Sequence, residues 1–454
     1  MSDHQVNTLS SDTTASAENE RGYSLLIVLI ILHAAGVVDS VGTFLFPSLA
    51  QTAVTTVSKV AWFSMYGWVL ASLCYMYGAH WLIFLWRERT LFLAVLGIAA
   101  LSPLWSLDPE LSAQRVVHLW GTTLIGIYLG YHVRSDRLST SLLIALSVLV
   151  VGGNLAAIVV PDLGQQLYEG DMAWSGLQSE KNGFGFAATT CILLCLARWN
   201  SIQWQRQRGA YMLLLPFALV ALAMSKSMTS TAALALGGAV WIAYVASSRL
   251  RISVAAIACV LVAAALLAVG GGQLFGFSEW TSLVGRSSDF TGRTDVWAPT
   301  WQLILRSPLL GYGYGALWLP RIELQAMQQW LLGLNWTAYT AHNGFLQLAS
   351  EIGIPAASLA FIFAFRSVAQ TISLNMRRPS PFAVFATAFQ IGFLLTNLFE
   401  ASLFVDRSIS WIIFVMIPLA VLRSYQRLSW APSRDPQPRV WVAGSAGRSS
   451  SGLL

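Results

Sequence analysis

The chain has 454 residues, of which 56% are hydrophobic and only 11% charged, with a mean hydropathy of +0.60. Soluble domains carry roughly 25% charged residues, so this composition excludes a water-solvated globule and points to a polytopic integral membrane protein. The net charge of +6 comes from arginines in short loops between apolar blocks, which is a footprint of anionic lipid and not of nucleic acid.

Residues 1–22 are rich in Ser, Thr, Asp and Glu and hold no apolar run, so they read as a disordered cytoplasmic tail. The first apolar block, Tyr23 to Phe46, is too long and wrongly flanked for a cleaved leader and is expected to remain as the first span. Apolar blocks suited to a hydrocarbon core of about 30 Å recur at 60–77, 90–104, 114–132, 140–160, 182–197, 210–224, 229–247, 252–270, 344–366, 382–398 and 408–423. The predicted architecture is therefore an all-α integral membrane protein with about 12 transmembrane helices, its membrane domain running over 23–428. A second disordered cytoplasmic tail, rich in Pro, Ser, Gly and Arg, follows at 429–454.

Orientation follows from the Lys/Arg bias. With the N-terminus inside, Arg21, Arg87, Arg89, Arg134, Arg137 and the arginines of the later inside loops share one side, so both termini are expected in the cytoplasm. The outside then holds a loop from Pro161 to Glu180 and a large loop over 271–343, long enough for short helices of its own. Its tryptophans, among them Trp297, Trp301, Trp318, Trp330 and Trp336, suit the headgroup level. Cys74, Cys191, Cys195 and Cys259 all fall in apolar blocks, where a thiol is a small hydrophobe, and imply neither a disulfide nor a metal framework.

Candidate functional residues sit at the outside ends of the spans, where ionisable groups are costly. Arg115 enters a helix after Trp105-Ser106-Leu107-Asp108, either as a snorkelling side chain or as an anion contact. Lys181 opens a span next to Glu180 and Gly183; a cation at a helix N-terminus is unfavourable without an anion nearby, which a phosphate or Glu180 could supply. Lys226 lies in a polar turn, Ser225 to Ser230, that reads mainly as structure. In the large loop, Arg293 and Asp295 precede an amphipathic stretch, Trp297 to Ile304, expected to lie along the membrane surface.

The glycine run Gly311-Tyr312-Gly313-Tyr314-Gly315 marks a tight turn. His342 stands at the loop's membrane junction, and Glu351 lies about two turns into the next span, where it needs a partner or a cavity. Glu400, Asp406 and Arg407 are weaker candidates of the same kind. No Walker loop, dinucleotide fingerprint or HExxH spacing is present in the sequence, so neither ATP nor a cofactor nor a metal is expected.

Taken in order, WSLDPELSAQR at 105–115, GLQSEKNGFG at 176–185, SKSMTS at 225–230, GRTDVW at 292–297, PLLGYGYGA at 308–316 and AHNGFLQLASEIGIPA at 341–356 resemble the O-antigen ligase and O-antigen polymerase superfamily, and look closest to its exopolysaccharide polymerase branch. The resemblance implies a GT-C-like glycosyltransferase of the bacterial inner membrane, using undecaprenyl-diphosphate-linked oligosaccharides at the periplasmic face. It implies that Arg293 binds diphosphate and His342 serves the acceptor hydroxyl as the two catalytic residues. Arg115, Lys181, Lys226 and Glu351 become substrate-binding candidates, and polysaccharide assembly and chain-length proteins become expected partners.

Two other readings stand beside this one. A ligase would pass finished glycan to a lipid A-core or other acceptor with the same donor chemistry. A transporter or flippase would also fit twelve spans, but the sequence shows no internal repeat and its singled-out charges gather on one side instead of at the midplane.

Overall fold

The computed structural model describes residues 24–49, 53–78, 90–168, 170–199, 202–250, 293–318 and 321–429. Helices dominate: α1 (Ser24–Ala34), α2 (Val37–Leu45), α3 (Thr55–Tyr77), α4 (Thr90–Leu101), α5 (Pro109–His132), α6 (Ser135–Ser147) and α7 (Gly153–Val159) form the first half. After a β-hairpin come α8 (Lys181–Trp199), α9 (Arg208–Met224), α10 (Met228–Leu250), α11 (Arg293–Arg306), α12 (Ile322–Leu332), α13 (Gly344–Arg377), α14 (Pro381–Thr396) and α15 (Ile409–Ser429).

Among the described residues, five helices are long and apolar enough to cross a membrane, or six if α1 and α2, bent by 65°, make one broken span. The predicted span at 252–270, the loop stretch 271–292 and the two predicted tails, apart from Ser429 at the end of α15, lie outside the described residues. The other predicted spans overlap helices, with 23–46 falling on the bent pair α1 and α2 and 140–160 on α6 and α7.

The main core joins α5 to α15 and α8 to α9, α10 and α14. One close seam comes from Gly126 and Gly130, one turn apart on α5. A Cβ at Gly130 would lie 2.4 Å from the Met416 carbonyl oxygen of α15, and one at Gly126 would lie 2.8 Å from Val415 Cβ. Small residues at this spacing let two helix backbones approach without intervening side chains.

Two features depart from the sequence reading. The loop at 161–180 is not purely irregular: β1 (Gln165–Tyr168) pairs antiparallel with β2 (Asp171–Trp174), with Tyr168 opposite Asp171. A two-residue turn closes the hairpin, and Gly170 at φ 80° supplies the positive φ such turns require.

The amphipathic stretch of α11 is also more than a surface helix. Val296 and Leu303 join Trp318, Leu332, Ala338 and Ala341 in a small core of their own, and Trp318 is buried with its indole N–H on Ser350 Oγ at 3.0 Å. Trp330 and Trp336 stay exposed.

Candidate active site

The segment His342-Asn343-Gly344 is organised by its own chemistry. Asn343 caps α13, its Oδ1 accepting from the N–H groups of Phe345 and Leu346 at 3.0 Å each. Gly344 has no Cβ because one would lie 2.5 Å from Asn397 Oδ1, and its N–H donates to the Asn397 carbonyl at 2.8 Å. Asn397 in turn accepts from the N–H groups of Ser402 (3.0 Å) and Leu403 (2.8 Å), fixing the loop that carries Glu400.

The result is a contact between His342 Nδ1 and Glu400 Oε2 at 3.0 Å. A carboxylate only accepts, so Nδ1 is the donor in this contact, and in the neutral imidazole Nε2 then presents a lone pair. The other Glu400 oxygen accepts from Asn182 Nδ2 at 3.1 Å. His342 holds φ 49°, a left-handed backbone unusual for a non-glycine residue, and Lys226 holds φ 51°.

A second cluster forms where α13 is broken. Gly353 (φ 84°, ψ 160°) leaves the helical region, and Pro355 has no N–H to return to the Glu351 carbonyl. The glycine run fills the gap: Tyr312 N–H donates to the Ser350 carbonyl at 2.8 Å, Gly313 N–H to the Glu351 carbonyl at 2.9 Å, and the freed Ile354 N–H to the Pro308 carbonyl at 2.8 Å. Gly315 lies so close to α5 that a Cβ would meet Arg115 Cδ at 2.3 Å.

These contacts bring Arg115 and Glu351 together. The Glu351 side chain is buried (2% exposed) and faces the Arg115 guanidinium, the Gly315 backbone and Gln347. Arg115 Nη1 donates to the Trp318 carbonyl at 3.0 Å. Both residues line a cavity of about 120 Å³ together with Gln347, Tyr314 and Asp406. Burial pushes the Tyr314 hydroxyl well above its usual range, so it stays protonated and donates to the Phe404 carbonyl at 2.7 Å.

The lysines form a third group. Lys181 begins α8, is buried, and places Nζ 3.5 Å from the centre of the Tyr168 ring and 3.4 Å from the Lys226 carbonyl. Lys226 pairs with Asp171 of the hairpin, and the Asp171 carboxyl is held below its usual range, first by this hydrogen bond.

Between the histidine and the lysines opens a cavity of about 200 Å³ at the starts of α8, α10 and α15. Its hydroxyl-bearing walls include Ser227, Thr229, Ser230, Ser402 and Ser410, and among the described residues its charged side chains are Glu180 and Glu400. Gly185 makes room for this wall: a Cβ there would lie 2.8 Å from Ser230 Oγ and 2.9 Å from Ser225 Oγ. Glu180 is exposed towards the opening, yet the surrounding protein and then the charge of Glu400 raise its carboxyl above the ordinary range. Ala401 lines this cavity and the Arg115 cavity alike.

Of the residues singled out in the sequence, Arg115 and Glu351 share one cavity, Lys181 and Lys226 neighbour each other, and His342 is met by Glu400 and not by Glu351. Arg293 opens α11, and its side chain lies outside the described residues. Asn397, Asn182 and Gln347 were not foreseen. An asparagine or glutamine at a span end carries no charge to draw notice, and its partners are distant in sequence.

Comparison with known proteins adds two findings. Residues 212–361 match the family described as O-antigen ligase, a stretch that includes Lys226, Arg293, His342 and Glu351. The chain is also 24% identical over 301 residues to the exopolysaccharide production protein ExoQ of Rhizobium meliloti (strain 1021), covering 63% of this chain and 67% of that relative.

Proposed function

As a member of the O-antigen ligase and O-antigen polymerase superfamily, the chain is, we propose, a bacterial inner-membrane glycosyltransferase. It extends a surface polysaccharide or exopolysaccharide from undecaprenyl-diphosphate-linked oligosaccharides at the periplasmic face. The observation that carries the reading is the His342–Glu400 contact at the edge of a hydroxyl-lined cavity with cations on nearby elements. The similar exopolysaccharide production protein supports an exopolysaccharide product, and the O-antigen ligase family match keeps ligation as the second reading.

In this reaction an acceptor sugar hydroxyl forms a bond to the donor's anomeric carbon. The bond from that carbon to the diphosphate oxygen breaks, and its electron pair leaves on the diphosphate. His342 Nε2 takes the hydroxyl proton, with Glu400 holding the tautomer and steadying the imidazolium that forms. Arg293, Arg115, Lys181 and Lys226 offset the charge growing on the leaving group, where fixed donors in a water-poor site act strongly. Glu351 fixes Arg115 and the glycine run.

The test is transfer in reconstituted membranes, using purified protein and undecaprenyl-diphosphate-linked repeat units. Native protein is expected to grow oligomers, and Arg293→Ala and His342→Ala are expected to abolish growth while remaining folded. Unchanged growth in both variants refutes the site. Movement of lipid-linked sugar across the bilayer without transfer refutes the enzyme. In cells, loss of a polymerase leaves single repeats on the carrier, whereas loss of a ligase accumulates long carrier-linked chains.

A further inference from the structure

The cavity at the starts of α8, α10 and α15 has an unusual chemical balance for a protein proposed to handle diphosphates. Among the described residues, its charged lining is Glu180 and Glu400. Among the described residues, the cations on nearby elements do not line it: Lys181 Nζ lies on the Tyr168 ring, and Lys226 pairs with Asp171. The remaining polar walls are the Asn182 amide and hydroxyl groups from Thr189, Thr396, the turn at 225–230 and the segment at 402–410, with Phe186 contributing an apolar face.

Such a lining suits a polyol. Hydroxyl side chains both donate and accept, carboxylates accept from ring hydroxyls, and an aromatic face covers the C–H side of a ring. Its volume of about 200 Å³ is the scale of one monosaccharide. Two carboxylates a few ångströms from a ligand's own carboxylate would repel it, and part of that repulsion survives in a site shielded from bulk water. An ammonium at the same position would be attracted.

We propose that this cavity is a monosaccharide subsite that admits an uncharged or amino-bearing sugar residue and rejects one that carries an acid group. The assignment rests on the glycosyl-transfer reading for its biological use, but the charge selection is a property of the cavity itself. Glu400 is committed to His342 and Asn182, so Glu180, with no such pair of contacts, is the residue that sets the selection.

The experiment uses the full chain in nanodiscs of phosphatidylcholine and three soluble probes: a glucose trisaccharide, the same trisaccharide ending in glucuronate, and the same ending in glucosamine. Affinities are read by calorimetry or saturation-transfer NMR. The neutral and amino probes are expected to bind about ten-fold tighter than the uronate probe, and Glu180→Gln is expected to remove most of that gap. Ser402→Trp, which fills the cavity from its loop side, is expected to abolish binding of all three.

Equal or tighter binding of the uronate probe by the native chain overturns the proposal. So does an unchanged ranking in Glu180→Gln, or an absence of binding by every probe at the highest soluble concentration. A transfer assay on the same preparation separates the two ideas. Charge ranking without transfer leaves the subsite standing and removes the proposed reaction; transfer without ranking does the reverse.

Discussion

Gly313 donates its backbone N–H to the carbonyl of Glu351 across 2.9 Å, taking the place that residue 355, a proline, cannot fill. The break in α13 is therefore built into the chain and satisfied by a loop about forty residues earlier. It is also what lets Glu351 meet Arg115 without leaving backbone groups unpaired at depth.

Gly353 is the residue on which this arrangement depends. Its φ of 84° and ψ of 160° belong to a region open essentially to glycine, and a Cβ would lie 2.0 Å from the Leu309 carbonyl oxygen. Gly353→Ala is expected to cost about 2–4 kcal/mol of stability and to abolish transfer. Pro355→Ala should be close to neutral, because the Glu351 carbonyl already has its partner. Thermal unfolding in detergent measures both, and equal melting of Gly353→Ala and the native chain would refute the account.

Glu400→Gln removes the carboxylate from His342 Nδ1 while keeping the shape of the side chain. If Glu400 holds the tautomer, kcat should fall by roughly 10²-fold while KM for the lipid-linked donor changes little. A change confined to KM would make Glu400 a substrate contact instead.

Glu180 supplies a pH prediction whose sign can be worked out. Its carboxyl is raised in the folded protein, first by the surrounding protein that partly shields it from water and then by Glu400. A group raised on folding contributes stability that is fully present below its unfolded value and is lost as pH rises through its folded value. Glu180→Gln should therefore melt about 1–3 °C higher at neutral pH, and the advantage should disappear below the ordinary range of a glutamate. A gain that persists in acid would point to packing and not to charge.

The two lysines should respond differently. The Asp171 end of its pair with Lys226 is 75% exposed, and exposed pairs contribute little, so Asp171→Asn should leave both melting and transfer almost unchanged. Lys181 is buried against Tyr168, and Lys181→Met is expected to keep the packing but raise KM for the donor several-fold. If Asp171→Asn proves the more damaging of the two, the hairpin has a role that its contacts do not suggest.

Most helices were legible in the sequence because apolar block length is a strong signal. The break in α13 was harder to read. Glycine and proline at 353 and 355 sit inside an apolar block, and only the loop that repairs the helix shows the break to be permanent.

The candidate site divides along similar lines. Charged residues at span ends, including His342, Arg115 and Glu351, stand out against an apolar background. The partner of each does not: whether Glu351 or Glu400 meets His342 is decided by Asn397 and Gln347, neutral residues whose contacts cross 5 to 7 positions or tertiary distances. The hairpin at 165–174 escaped because four-residue strands hold too few positions for a period to be recognised.

The seam between α5 and α15 has a mechanical consequence. With no side chains at Gly126 and Gly130, α5 sits directly on the Met416 carbonyl and the Cβ atoms of Val415 and Leu419, like a dovetail joint with little room to slide. Arg115 on one arm and the Asp406–Arg407 corner leading into the other are thereby fixed on a single rigid jaw.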